Sequence, residues 1–484
     1  MLIKQRTKNL IPALLLILCL ALPSAVILAA SPTTDIAGRI DSLVVKHHLT
    51  KSHLGVKIIS WPERQVVYEK NPDYLMAVAS NMKLITTGVA LCKLGPDFQF
   101  ATSLYYDGVI QNETLQGNLV VKSNGDPNIS GRFYNDKPLA VFEQWRNKLA
   151  GLGVTNVQGN IILDDTAFDR DYVNDYWPSN QLNCWYCAPV SGIAFNDNCI
   201  DITVRPAENT KAATSPPTKY VSLINNSYPG SRNTLTFCRL PGTNVITVKG
   251  AISGDILCHK ESVPVDNPVL FFGTVLSETM TKNITISGKV VLAERAYDPK
   301  ADRLTEICRN STDLKKTITV TNQRSQNLYA EQIFKLLGCQ FKGKGTFETG
   351  AAAVGDFLDR QVNIPSNTYL ISDGSGLARS NWVAPGQMVQ FLSYMAGHKY
   401  FNDYRDSLNN RAWPEGNNKK KSRIWAKTGT INNVKCLSGY VCGDNGKPRY
   451  IFSIMNNGLE YVPEGPYGAL EFQNEVAKLL AEEK

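Results

Sequence analysis

The two ends of the chain show the most regular patterns of hydrophobic and polar residues. Several short apolar stretches are bounded by turn residues, which is typical of strands, and two others have the apolar spacing of helices. The predicted elements are the helices Ala37–Val45 and about Ala469–Leu480 and the strands Gly55–Ser60, Gln65–Glu69, Lys435–Val441 and Arg449–Met455. We expect these strands to form one antiparallel sheet closed by the last helix, an α+β arrangement that tolerates a long insertion in its middle.

The middle of the chain, between about Ala101 and Leu304, has short strand patterns separated by turns rich in Gly, Asn and Pro. The predicted strands are Leu115–Lys122, Val157–Leu163, Ile200–Val204, Val245–Val248 and Thr285–Glu294. This pattern predicts two mostly β accessory domains, one nested in the other. The expected boundaries are 104–170 with 265–303 for the outer domain, 171–264 for the nested one, and 31–103 with 304–484 for the domain built from the chain ends.

The N-terminus is basic and continues into an almost unbroken apolar run from Leu10 to Ala30. This pattern predicts a secretory signal peptide over residues 1–30, cleaved near Ala29 or Ala30. An uncleaved anchor is the alternative, because the run is close to the length that spans a membrane. Cys19 follows Leu18 rather than a small residue, which argues against a lipoprotein.

The composition is that of an exported globular protein. A chain of 484 residues with 43% hydrophobic and 19% charged residues is long enough for two or three domains with ordinary cores. The formal net charge of +8 is modest for this length, and without a basic stripe it does not indicate a nucleic-acid partner.

Cysteines are numerous, with ten of the eleven following the predicted signal. In an oxidising compartment they favour disulfides, and we expect at least one bond among Cys184, Cys187 and Cys199. A zinc site is less favoured because no fourth ligand lies at finger spacing. A bond between Cys436 and Cys442, on and just past a predicted strand, is a further hypothesis.

One predicted helix carries a candidate for chemistry. Its apolar stripe consists of Met82, Ile85, Val89 and Cys92. Ser80 lies at the start of this helix, where unpaired N–H groups and the positive dipole end favour a developing negative charge. Lys83 returns to nearly the same face one turn later and can take the serine proton when it is neutral. Alone, this Ser-x-x-Lys pair is a weak signal, because a helix cap beside a solvated lysine has the same spacing.

Two later stretches strengthen that signal. Ser325-Gln326-Asn327 precedes a predicted helix, and Lys427-Thr428-Gly429-Thr430 follows a predicted strand. Taken singly, each has a structural interpretation, as a helix cap, an edge charge or a turn. In this order, however, Ser-x-x-Lys, Ser-x-Asn and Lys-Thr-Gly are the signature of penicillin-binding proteins and class A β-lactamases.

Further runs resemble the class C low-molecular-mass penicillin-binding proteins, the D-alanyl-D-alanine carboxypeptidase/endopeptidase family of serine peptidases. These runs are Gly117–Val121, Gly125–Pro127, Leu163–Asp165 with Phe168, and Asp373–Arg379 with Asn381. The separation of 245 positions between Ser80 and Ser325 agrees with this resemblance, since a long insertion between these motifs is typical of the family. The resemblance extends from about His53 to near the C-terminus and implies a β-lactamase/transpeptidase-like domain with inserted accessory domains.

This resemblance implies acyl transfer at Ser80. The serine attacks the carbonyl between two D-alanines of a peptidoglycan stem peptide or cross-link, and Lys83 accepts its proton. Ser325 is expected to relay the proton to the leaving amine, after which water hydrolyses the acyl-enzyme. The backbone N–H groups of Ser80 and Thr430 are expected to bind the oxyanion.

The remaining motif residues are implied to bind substrate. Asn327 is expected to hold a substrate amide, while a terminal carboxylate is expected to face Lys427, Thr428, Gly429 and Thr430. The implied partners are peptidoglycan peptides, with β-lactams as covalent inhibitors, and no metal or cofactor is implied. The expected location is the periplasm or cell envelope.

Parts of the sequence depart from this pattern. Val78 replaces the usual proline before the nucleophile motif. The stretch Ser407–Lys421 lacks the family's usual loop, and this second departure affects the expected rim of the substrate site rather than the nucleophile. Asp373-Gly374-Ser375-Gly376 lacks the Gly-x-Ser-x-Gly spacing of a nucleophile elbow, so we interpret it as a structural loop near the site.

Two other functions are compatible with the same motifs. A β-lactamase or esterase is disfavoured by the long insertion, and a wall-binding protein without catalysis is disfavoured because all the motif residues are present. None of the five histidines lies in a triad-like motif.

Overall fold

The computed structural model describes residues 36–411 and 424–483. The predicted signal peptide and most of the atypical stretch before Lys421 lie outside this part. The helices are α1 (Ile36–Lys46), α2 (Met82–Leu94), α3 (Ala140–Gly151), α4 (Pro268–Met280), α5 (Leu314–Gln323), α6 (Asn327–Lys342), α7 (Phe347–Val362), α8 (Pro385–Ala396), α9 (Phe401–Ser407) and α10 (Gly465–Glu482). None of these helices is both long enough and apolar enough to cross a membrane.

The described strands fall into several separate sheets. They are β1 (His53–Ser60), β2 (Val66–Lys70), β3 (Met76–Ala77), β4 (Gln99–Tyr106), β5 (Val109–Gln111), β6 (Thr114–Gln116), β7 (Leu119–Ser123), β8 (Asn156–Val157), β9 (Ile161–Asp164), β10 (Cys199–Arg205), β11 (Lys211–Ser215), β12 (Ser222–Gly230), β13 (Thr236–Arg239), β14 (Val245–Ser253), β15 (His259–Pro264), β16 (Thr285–Ile286), β17 (Val290–Leu292), β18 (Thr305–Asp313), β19 (Trp382–Val383), β20 (Asn409–Arg411), β21 (Ile424–Ile431), β22 (Val434–Cys442) and β23 (Pro448–Asn457).

The main sheet is built from both chain ends. Its six strands follow the order β2-β1-β23-β22-β21-β20, and every neighbouring pair is antiparallel. One face packs against α1 and α10 through an apolar cluster that includes Ile40, Ile454 and Phe472. The sequence-based prediction of this sheet and its closing helix is confirmed; most elements extend one to four residues beyond their predicted bounds, while β2 is shifted by one residue toward the C-terminus.

Helix α2 lies in the core beside this sheet. Every residue from Met82 to Leu91 is buried, and the predicted apolar stripe is confirmed at Ile85 and Val89. Gly88 allows α8 to approach closely, because a Cβ there would lie 2.6 Å from the ring of Phe391. Packing on all sides therefore fixes the helix that begins at the nucleophile motif.

The middle of the chain forms sheets of its own. A five-stranded sheet has the order β17-β9-β7-β4-β18, and a four-stranded sheet has the order β16-β8-β6-β5. Between Cys199 and Pro264 lie two three-stranded sheets, β11-β10-β15 and β12-β14-β13. Because β4 pairs with β18, the five-stranded sheet crosses the expected boundaries at residues 103 and 304. The division into domains stays a prediction.

The ten cysteines that the structure describes are all free, in contrast to the predicted disulfides. Cys436 and Cys442 lie on the same strand, β22, where residues six apart are separated by about 20 Å, too far for a disulfide. Cys187 packs in an apolar cluster and Cys199 is buried at the start of β10, while Cys184 is half-buried. Cys187 and Cys199 are therefore small buried side chains rather than cross-links.

Candidate active site

The Ser-x-x-Lys motif lies where a short turn enters α2. Ser80 belongs to a single 3₁₀ turn, and Lys83 follows in the first turn of the α-helix. The Lys83 side chain is fully buried. Its Nζ lies 3.0 Å from Ser80 Oγ, 2.6 Å from Asn327 Oδ1 and 2.8 Å from the carbonyl oxygen of Ser375. The serine and lysine predicted from the sequence are therefore in direct contact.

Burial changes the protonation of this lysine. It lowers the pKa of Lys83 to about 7, because removing the ammonium from water disfavours its charged form. The carboxylates of Glu331 and Asp373 act in the opposite direction and raise that pKa, but their effect is smaller. A substantial fraction of Lys83 is thus neutral near pH 7 and able to accept a proton.

The second motif meets the first at the start of α6. Ser325 has a left-handed backbone conformation (φ 55°), and Asn327 is the first residue of the helix. The Asn327 side chain accepts from Lys83 through Oδ1 and donates through Nδ2 to the carbonyl of Tyr186 at 2.8 Å. In this structure the Asn327 amide therefore links the lysine to the inserted segment.

The third motif lies on β21, on the other side of the nucleophile. The buried Lys427 donates to Ser325 Oγ at 2.9 Å and to the Thr428 carbonyl at 3.0 Å. A Cβ at Gly429 would lie 2.8 Å from the Val78 carbonyl oxygen and 3.1 Å from the Ser80 nitrogen, so this position has no space for a side chain. Each of the two serines is thus bound to one lysine, and the strand runs directly beside the Ser80 turn.

A cleft of about 820 Å³ opens above these groups. Ser80, Ser325, Asn327 and Thr430 line it. Thr430 is exposed, and its Oγ1 accepts from Lys435 at 3.2 Å. The inserted segment and the loops around the main sheet supply the rim, which includes Tyr176, Trp185, Tyr186, Arg379 and Asn432.

Behind this cleft lie Glu331, which sequence reasoning missed, and the loop that begins at Asp373, which was expected near the site but without these contacts. Glu331 on α6 is fully buried and accepts from the N–H groups of Gly374 and Ser375, both at 2.8 Å. Asp373 is equally buried, and one of its donors is Trp177 of the inserted segment, at 2.9 Å. Glu331 could have been recognised from the sequence, because it is an acidic residue four positions after Asn327 on the same predicted helix. The Ser375 carbonyl is a backbone atom and has no sequence signal.

Several known proteins are similar to this chain. The model of the D-Ala-D-Ala carboxypeptidase 3 (S13) family matches residues 36–481. The D-alanyl-D-alanine carboxypeptidase of Actinomadura sp. (strain R39) is 28% identical and aligns with 98% of this chain and 89% of its own. The D-alanyl-D-alanine carboxypeptidase DacB of Haemophilus influenzae is 27% identical over 71% of each chain.

Solved structures show the same fold. The crystal structure of penicillin binding protein 4 (dacB) from Haemophilus influenzae covers 92% of this chain and 99% of its own, with a TM-score of 0.76 and 22% sequence identity. That likeness confirms the expected multidomain α+β architecture. Since the family match runs from the first described helix almost to the end of the last, the chain belongs to the D-Ala-D-Ala carboxypeptidase 3 (S13) family of serine peptidases.

Proposed function

We propose that this protein is a serine D-Ala-D-Ala carboxypeptidase and endopeptidase that acts on peptidoglycan peptides through an acyl-enzyme on Ser80. The observation that carries the proposal is the buried Lys83, whose Nζ lies 3.0 Å from Ser80 Oγ. A lysine with a pKa of about 7 is matched to general-base catalysis near neutral pH. Family membership and the names of the relatives support the choice of substrate.

The reaction has two steps. Neutral Lys83 takes the hydroxyl proton while Ser80 Oγ bonds to the carbonyl carbon between the two D-alanines. The tetrahedral intermediate then expels the amine of the last residue; Ser325 gives its hydroxyl proton to that nitrogen and takes up the proton that Lys83 had accepted, so Lys83 is neutral again. In the second step Lys83 takes a proton from water as the hydroxide adds to the ester carbonyl, and gives that proton to Ser80 Oγ as the bond to the shortened peptide breaks. Ser325 is suited to the relay because its Oγ contacts a second buried lysine, Lys427.

The same geometry supports the proposed binding roles. The close contact of Gly429 with the Ser80 turn brings β21 beside the nucleophile, which suits an oxyanion site between the N–H groups of Ser80 and Thr430. Lys427, Thr428 and Thr430 on that strand then face the terminal carboxylate. Asn327 is proposed to hold a substrate amide once the substrate competes for its present partners.

β-Lactams are the proposed covalent inhibitors, since a strained amide beside a carboxylate meets the same Ser80 and Lys427. The Haemophilus influenzae protein of this fold has also been solved in complex with a β-lactam. Peptidoglycan lies outside the cytoplasm, so the proposal includes export to the periplasm or cell envelope by the signal predicted over residues 1–30.

Covalent labelling tests the proposal. Purified protein incubated with a fluorescent penicillin is expected to carry one label on Ser80, and Ser80→Ala to carry none. Label on another residue, or label that survives Ser80→Ala, contradicts the site.

Comparing turnover of a D-Ala-D-Ala muropeptide with turnover of penicillin then separates the functions. Release of D-alanine with slow loss of the penicillin label supports the peptidase. Rapid penicillin hydrolysis without peptide turnover indicates a β-lactamase, and absence of both reactions indicates a binding protein. A cross-linked muropeptide run in parallel measures the endopeptidase activity.

A further inference from the structure

The loop from Asp373 to Ala378 is bound from both sides by groups outside the catalytic motifs. From α6, the two oxygens of Glu331 accept the N–H groups of Gly374 and Ser375. From α2, the Thr86 hydroxyl donates to the Gly374 carbonyl at 2.7 Å. The loop thus crosses between the two helices in a conformation that neighbouring side chains hold.

Asp373 closes the loop on itself. One of its oxygens accepts from the Gly376 N–H and from Asn381 Nδ2, and the other accepts from the Ala378 N–H and from Trp177 Nε1. Gly376 has a positive φ of 81° and lies against the Ser80 turn, since a Cβ there would be 1.8 Å from the Ala79 carbonyl oxygen. The loop is therefore packed directly behind the nucleophile.

This loop supplies one of three hydrogen-bonding partners of Lys83. A neutral amine has two hydrogens and one lone pair, so it offers three directions. When Asn327 Oδ1 and the Ser375 carbonyl accept the two hydrogens, the lone pair is left pointing at Ser80 Oγ. Removing either acceptor frees the amine to rotate and misdirects the lone pair.

We propose that Glu331 is a positioning residue for acylation: by holding the Gly374–Ser375 peptide units, its carboxylate aims the Ser375 carbonyl at Lys83 and so directs the lysine lone pair toward Ser80. This inference rests on the proposed function. A carboxylate suits the task because both oxygens accept, whereas a glutamine amide would place a donor against one of the two N–H groups.

The charge of Glu331 gives this role a measurable signature. Two carboxylates act on Lys83 from the elements packed against α2, Glu331 on α6 and Asp373 in the loop, and both raise the pKa of the lysine. The nearby cation Lys427 on β21 is hydrogen-bonded to Ser325. Burial and, to a smaller extent, the carboxylate of Asp373 raise the pKa of Glu331 to about 8, while the N–H donors on both of its oxygens act in the opposite direction. An ionised Glu331 stabilises the ammonium form of Lys83, so removing this carboxylate should lower the pKa of Lys83.

The test is the pH dependence of penicillin acylation. Glu331→Gln is expected to acylate roughly 10- to 100-fold more slowly on the pH plateau, because the lone pair is misdirected. Its acid limb is expected to move down by about 0.5 to 1 pH unit, because Lys83 loses a neighbouring negative charge. Glu331→Asp keeps the negative charge but shortens the side chain by one methylene. Its acylation rate should therefore fall, while the acid limb of its pH profile stays in place.

A matched control lies on the same helix. Gln332 is fully buried too, but its amide donates to the Ser191 carbonyl at 3.0 Å, away from the loop. Gln332→Met is expected to lower thermal stability and to leave the position of the acid limb unchanged. This control separates the effect of disturbed packing in α6 from the effect of a misdirected Lys83 lone pair.

Three results would overturn the proposal. An unshifted acid limb in Glu331→Gln would show that the charge of Glu331 does not affect Lys83. A wild-type acylation rate in Glu331→Gln or in Glu331→Asp would show that the carboxylate does not position the loop for acylation. If Glu331→Gln does not fold, the Glu331→Asp rate decides alone. Failure of wild-type protein to acylate Ser80 would refute the proposed function instead, so the two failures are distinguishable.

Discussion

The protonation of Lys83 yields the sharpest prediction about catalysis. An ordinary lysine has a pKa near 10.4, so only about one in 2,500 is neutral at pH 7. With its pKa lowered to about 7 by burial, half of Lys83 is neutral at that pH. The fold thus raises the concentration of usable base by about 10³-fold over an exposed lysine.

The perturbation is pH in the wild-type protein. The second-order rate of penicillin acylation, which reports the free enzyme, should rise with pH and level off above pH 7. Because protonated Lys83 cannot accept a proton, the rate should fall roughly tenfold per pH unit below the pKa, to about 9% of its plateau at pH 6 and about 1% at pH 5. Stopped-flow measurement with a fluorescent penicillin, with circular dichroism at each pH, records this limb.

Lys83→Arg tests the same reasoning by mutation. The guanidinium keeps the positive charge but does not deprotonate in a protein, so acylation should fall by at least roughly 10²-fold at every pH. Circular dichroism establishes that the variant is folded. A wild-type rate in this variant, or a wild-type profile that is flat from pH 5 to 8, would show that Lys83 is not the base.

Three further outcomes follow from the structure. Lys427→Arg should retain part of the acylation rate that Lys83→Arg loses, because a cation next to the carboxylate site suffices there; equal loss in both variants would contradict these separate roles. Gly376→Ala should destabilise the fold by at least about 1–3 kcal/mol in chemical denaturation, the usual cost of the backbone strain alone, because its Cβ would also meet the Ala79 carbonyl oxygen, and it should slow acylation. Gly343→Ala, at φ 78° with no neighbouring atom within 4 Å of its Cβ, should leave acylation unchanged. Cys436 should be alkylated in denatured, unreduced protein, and a mass showing it in a disulfide would refute the packing described here.

Much of the fold was predictable because its signals are local. The strands that meet in the main sheet are short, mostly apolar stretches at both chain ends, and the helix after Ser80 has an apolar stripe at helical spacing. The predicted disulfides do not match the structure, in which the described cysteines are free. A compartment that permits oxidation says nothing about the distance between two thiols. Cys436 and Cys442 are close in sequence, yet an extended strand separates them.

The sequence by itself determined which side chains are proposed to react. Ser80, Lys83, Ser325 and Lys427 were identified from residue type, spacing and order, which are properties of the chain before it folds. Only the tertiary structure decided that Lys83 is buried beside Glu331, and that its partners include the carbonyl of Ser375. Burial is a collective result of packing, and a backbone carbonyl is chemically the same at every position. The lowered pKa of Lys83 and the direction of its lone pair therefore depend on how α2, α6 and the 373–378 loop pack together.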